Sequence, residues 1–153
     1  HFWLDQRFIE HSILKEKLTI LATMMTMAQE KGLKLCLENL SEGPEDFEQA
    51  FRLFPELGLT LDIGHGELLS SRNKAYSFIE TCPERISHVH IHDNHGGNSP
   101  ADDLHLPFGE GSITFKPIIA ALRKTGYNKT LTLEVAPDIL KQEKAKIVAL
   151  LNQ

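Results

Sequence analysis

The chain has 153 residues, 41% hydrophobic and 24% charged, with a formal net charge of -5. That composition is ordinary for one globular domain spanning residues 1–153, and the length allows a sizeable core. It excludes a membrane span, since no apolar run approaches the ~20 residues a bilayer needs, and the charge weighs against non-specific nucleic-acid binding.

In chain order, apolar residues at helical spacing (Leu14, Leu18, Leu21, Met24, Met25, Ala28) predict a helix over 13–31, stopped by Gly32. The short apolar run 33–37, ending at Glu38, reads as a strand. Proline and acids open a helix over 44–54. A second strand follows over 57–62 and a helix over 66–81. A third strand spans 86–92, then a long polar loop runs over 93–112. A helix over 115–125 ends at Gly126, a fourth strand covers 131–135, and a last helix covers 139–151. A leading helix and four βα units imply a parallel sheet with helical crossovers. A complete (β/α) barrel of TIM type needs ~250 residues, so four units make either an open α/β sheet or half a barrel.

The strongest signal is where polar residues fall. Glu38 ends the first strand and Asp62 the second, with His65 three residues on. His90 and His92 end the third, and Glu134 lies near the end of the fourth. In a parallel sheet those ends converge on one rim, where active sites sit. A single acid there is commonly a helix cap. Acids and histidines at all four ends would repel or desolvate one another without a cation, which a divalent metal supplies. The loop adds Asp102, Asp103 and His105, and Asp103 with His105 has the spacing of a ligand pair. Gly109 and Gly111 suit the turn that leads into the next helix.

The segments LCLENL (35–40), LTLDIGHG (59–66), HVHIHDNHG (88–96), DDLHLPFGEGSITF (102–115) and LTLEV (131–135) together resemble the xylose-isomerase-like metal-dependent TIM-barrel superfamily. It includes sugar phosphate isomerases and epimerases and endonuclease IV. The resemblance covers about residues 33–150 and matches the C-terminal half of the barrel, strands five to eight. It implies that Glu38, Asp62, His90 and Glu134 are the shared metal ligands, with Glu38 and Glu134 also the catalytic pair. His65, Asp103 and His105 match the additional metal ligands of the endonuclease type. In the sugar enzymes His65 matches a substrate contact instead. His92 and His95 read as substrate contacts or solvated loop residues.

The activity so implied is a metal-dependent sugar (phosphate) isomerase or epimerase. It would work by proton transfer through a metal-bound enediolate, with Mn, Zn, Mg or Co as the ion. One alternative is an endonuclease IV-like hydrolase acting on abasic DNA. The charge and the few basic rim residues, Arg72, Lys74 and Lys116, disfavour it. The other is an inactive barrel fragment. A half barrel is expected to expose two sheet edges and an apolar inner face. It would therefore pair with a second copy or with a missing N-terminal half. The chain begins at His1, as a processed product or fragment would. Residues 1–12 lack a secretory pattern, and a cytoplasmic site is expected.

Other residues have plainer readings. Phe2, Trp3 and Phe8 read as packing residues from a helix. Cys36 reads as a small core residue and Cys82 as inert. Two cysteines are too few for a disulfide scaffold. His88 shares a strand face with His90 and would line the barrel interior. His1 and His11 read as solvent-exposed.

Overall fold

The computed structural model describes residues 2–152, apart from the side chain of Pro100; His1 lies outside them. Helix α1 (His11–Glu30) precedes four βα units. These are β1 (Cys36–Glu38) with α2 (Pro44–Leu53), β2 (Gly58–Asp62) with α3 (Ala75–Thr81), β3 (Ile86–Ile91) with α4 (Phe115–Lys124), and β4 (Leu131–Leu133) with α5 (Leu140–Leu151). All pairings are parallel, in the order β1-β2-β3-β4. Among the described residues no helix is long and apolar enough to cross a membrane.

Alternation along the strands divides the sheet into two unlike faces. Leu37, Leu59, Leu61, Val89 and Ile91 point outward and are buried with helix residues Phe47, Phe78 and Ile118. The opposite, inner face carries Cys36, Glu38, Thr60, Asp62, His88, His90 and Thr132. It is therefore polar, which corrects the expectation of an apolar inner face. His88 bonds through its two ring nitrogens to the Thr130 and Thr132 hydroxyls. Cys36 belongs to this face beside Gly58, and not to the core. Exposed apolar side chains occur elsewhere, among them a stripe of Ile13, Ile20, Met24 and Met27 on α1.

Two further expectations fail locally. The helix over 66–81 is a single 3-10 turn (His65–Glu67), an irregular stretch, and only then α3. Asn73 is the reason. Its Oδ1 accepts the Ala75 N–H and its Nδ2 donates to the Ile63 carbonyl and Glu67 Oε2, which starts the helix at Ala75. Residues 2–10 are not helical but lace onto the β1–α2 loop. Trp3 Nε1 donates to Ser41 Oγ, Asp5 binds Ser41 Oγ and the Arg7 guanidinium, and Glu42 accepts the Leu4 N–H. Trp3 stacks on Phe8 at 5.2 Å between ring centroids.

Candidate metal centre

Each strand delivers its polar residue to the same rim. The register pairs Glu38 with Thr60 and Asp62 with His90, so neighbouring strands end at similar heights. Glu134 follows β4 directly, its N–H held by the Ile91 carbonyl. His90 Nδ1 lies 2.6 Å from Glu38 Oε1, 2.9 Å from Glu134 Oε1 and 3.8 Å from Asp62 Oδ2. The four donor atoms all fall within 4.8 Å of one another. Asp62 is fully buried, and its Oδ2 has no hydrogen-bond partner. Its Oδ1 accepts the His65 N–H, and Asn39 clamps the Asp62 main chain on both sides.

The electrostatics follow from this crowding. Burial alone would push the Asp62 carboxyl up, but the His92 and His65 imidazoles hold it below its ordinary value. Burial would push His90 down, and the Glu38 carboxylate, with Glu134 and Asp62, raises it instead. Three carboxylates around one imidazole make a site that favours positive charge.

A second group lies beside the first. His65, His92, Asp103 and His105 also bring one donor atom each within 4.8 Å of one another. Asp103 Oδ2 is 3.0 Å from His65 Nε2 and 3.2 Å from His105 Nε2. Burial lowers His65, but the hydrogen bond to Asp103 and the charge of Asp62 prevail, raising it to about 9. The loop that brings Asp103 and His105 here is tied down by Asp93. Its N–H and C=O pair with Leu106, and its carboxylate accepts the Asn94, Gly109 and Ile113 N–H groups. Gly109 sits at φ +88, and a Cβ at Gly111 would collide with Asp93 and Asn94. Both glycines thus serve the turn, for different reasons.

All seven residues expected to ligate metal therefore gather on this rim, in two groups of four that also take in His92. His92 is fully buried, stacked on His105 at 3.9 Å between ring centroids. Its place in the second group was missed from the sequence. The signal was present in its alternation with His88 and His90, which puts all three on one side of the chain. His95 is exposed, and Asp102 caps its own loop through the Asn98 and Ser99 N–H groups. Of the basic rim residues, Lys74 turns inward, donating to the Ser41 and Leu68 carbonyls, while Arg72 pairs on the surface with Glu80. Cys82 is buried, and burial pushes its thiol up to about 11.

Comparison with known proteins agrees with this architecture. A family model described as a xylose isomerase-like TIM barrel matches residues 14–150. An uncharacterized protein of Methanocaldococcus jannaschii, MJ1311, is 30% identical over 135 residues, 80% of this chain and 43% of that protein. A D-tagatose 3-epimerase-like protein superposes with a TM-score of 0.77 at 27% identity, over 98% of this chain and 59% of its own. A Thermus thermophilus protein, from a crystal soaked with ZnCl2, gives 0.67 at 26% identity, over 88% and 51%. An IOLI protein with a bound zinc atom shares the fold at 20% identity, with a TM-score of 0.72 over 97% and 60%. The chain thus spans about half the length of these proteins, and its four βα units correspond to half of a barrel. It belongs to the xylose isomerase-like TIM barrel family.

Proposed function

We propose that this chain is the metal-binding half of a sugar isomerase or epimerase, with Glu38, Asp62, His90 and Glu134 holding a divalent ion and Glu38 and Glu134 moving the substrate proton. The observation that carries the reading is the convergence of these four donors from four successive strands around the unpartnered Asp62 Oδ2. Three carboxylates and one imidazole suit Mn, Mg, Zn or Co. Such an ion would polarise a carbonyl and acidify the adjoining C–H.

The protein's own part is positional. Glu38 and Glu134 reach His90 from opposite edges of the four-stranded sheet. A sugar seated between them would meet a carboxylate on either side. One, as carboxylate, would take a proton from carbon and end protonated, and the other, as carboxylic acid, would give up its own proton to the opposite face or to the neighbouring carbon and end ionised. Asp62 is buried too deeply to exchange protons with substrate and serves as a fixed anion. His65 and His92 are buried as well, so their part in substrate binding is to orient Asp62 and Asp103. A carbohydrate is the substrate class, and the other barrel half, from a longer chain or a second copy, would complete its pocket.

The test is solvent exchange. In the protein carrying this sequence, loaded with Mn or Zn, ketoses and keto-inositols in heavy water should gain deuterium next to the carbonyl, read by NMR. Glu134→Gln should lose metal and exchange together. Full exchange in Glu134→Gln, or none with any substrate in a metal-loaded protein, overturns the reading.

A further inference from the structure

Beneath the candidate metal centre lies a sealed polar side chain with no part in the proposed proton transfer. Asn39 follows Glu38 directly and is completely buried. Main-chain pairing between β1 and β2 runs from Cys36 with Gly58 to Glu38 with Thr60 and stops there. The chain then turns away, and the Leu40 and Ser41 N–H groups go to Glu42 Oε2. Asp62, two residues further along β2, is thereby left without a main-chain partner from β1. The Asn39 side chain takes that place. Its Oδ1 accepts the Asp62 N–H at 2.9 Å, and its Nδ2 donates to the Asp62 carbonyl at 2.9 Å. Only an amide side chain offers a donor and an acceptor side by side as a peptide group does.

The same residue reaches a further group. Its main-chain carbonyl accepts the His65 Nδ1 proton at 2.8 Å, and the His65 N–H in turn donates to Asp62 Oδ1 at 2.8 Å. Asp62 is thus enclosed. Asn39 holds its peptide groups on the β1 side, β3 pairs with it at His90 on the other, and His65 holds one carboxylate oxygen. The oxygen left without a hydrogen bond is Oδ2, 3.8 Å from His90 Nδ1. A ligand constellation works only when its members are held to within roughly 0.5 Å. A strand end with no ladder on one side would not hold Asp62 so closely.

We propose that Asn39 is a positioning residue of this centre. Its side chain replaces the missing rung between β1 and β2 and so fixes the Asp62 carboxylate relative to the adjoining Glu38. The inference rests on the proposed metal-binding role of Glu38, Asp62, His90 and Glu134. Being sealed from solvent, Asn39 does not meet substrate and acts through Asp62. Hydrogen-bond partners one step behind a ligand typically change metal affinity by about 10–100-fold.

The experiment is a manganese titration read by electron paramagnetic resonance, in which bound manganese loses the six-line signal of the free ion. Wild type, Asn39→Leu, Lys74→Met and Glu134→Gln are compared, each checked for folding by its metal-free melting curve. Leu has nearly the shape of Asn and neither hydrogen-bonding group. Lys74→Met is the control, because it removes two hydrogen bonds to neighbouring loop carbonyls and touches no metal donor. Both should lower the melting temperature. Asn39→Leu should also weaken manganese binding by about 10-fold or more, and Lys74→Met should leave it unchanged. Unweakened binding in Asn39→Leu, or an equal loss in Lys74→Met, overturns this proposal alone while Glu134→Gln still abolishes binding. No manganese binding in the wild type, or binding that Glu134→Gln does not weaken, overturns the proposed metal site and this inference with it. Should Asn39→Leu not fold, hydrogen exchange at the Asp62 N–H of the wild type decides. Coupling between the clamp and the ion is reciprocal, so saturating zinc should slow that exchange. Exchange unchanged by zinc overturns the proposal.

Discussion

The two ligand groups on the rim share a boundary residue, Asp62, but differ in composition and surroundings. The first has three carboxylates and one histidine, and its outer members stay accessible, with side-chain exposures of 26% for Glu38 and 28% for Glu134. The second has three histidines and one carboxylate, and its His65 and His92 are sealed inside. Oxygen donors at an open rim suit a site that exchanges substrate and protons. Nitrogen donors locked by main-chain carbonyls hold their rings and the loop in one arrangement. The same fold edge thus carries an open, oxygen-rich group and, beside it, a sealed, nitrogen-rich one.

The largest effect should come from the open group. On the proposed mechanism, Glu38→Gln or Glu134→Gln should reduce turnover by at least about 100-fold, since each would remove a proton-transfer group as well as a metal donor. Steady-state kinetics with metal analysis on the same samples checks this.

Gly64→Ala probes the sealed group without touching any of its four donor side chains. The new methyl must displace the buried His92 ring, so we expect a loss of roughly 2–3 kcal/mol in denaturant unfolding. Unchanged stability would show that the ring yields easily and that the close approach is incidental.

The two groups also predict opposed pH behaviour with and without metal. In the metal-free protein His65 is raised from 6.5 to about 9. A folded-state value above the unfolded one stabilises the protein fully below pH 6.5, and this contribution, roughly 3 kcal/mol, is lost as pH climbs through about 9. Bound zinc requires neutral imidazoles, so the loaded protein should instead lose stability toward acid. Melting temperatures across pH 6–9, with and without chelator, should slope in opposite directions.

Smaller effects are expected at the basic rim residues. Lys74→Met removes two hydrogen bonds to buried carbonyls and should cost about 1–2 kcal/mol. Arg72→Ala, which breaks an exposed pair with Glu80, should stay within about 0.5 kcal/mol.

Much of this architecture was readable from residue order. The strand ends at Glu38 and Asp62 follow from apolar runs closed by a polar residue, and His90, one residue before the end of β3, follows from alternation along that strand. Less was readable where a side chain overrides propensity. Asn73 delays α3 by binding the Ala75 N–H and the Ile63 carbonyl ahead of the helix, and the Asp5, Ser41 and Glu42 contacts hold residues 2–10 out of a helix. The polar inner face was also missed. Its residues are few per strand, and only pairing shows that Thr60, His88 and Thr132 share one surface.

The sequence by itself determined the alternation of helix and strand and the chemistry offered at each strand end, because both depend on neighbours a few residues apart. Only the tertiary structure decided how the candidate donor side chains divide. His92 sits two residues from His90 in the chain but joins Asp103 and His105. Gly64 lets its ring close onto the backbone, and Asp93 folds the long loop back across the rim. Those contacts join residues distant in sequence, and no local periodicity encodes them.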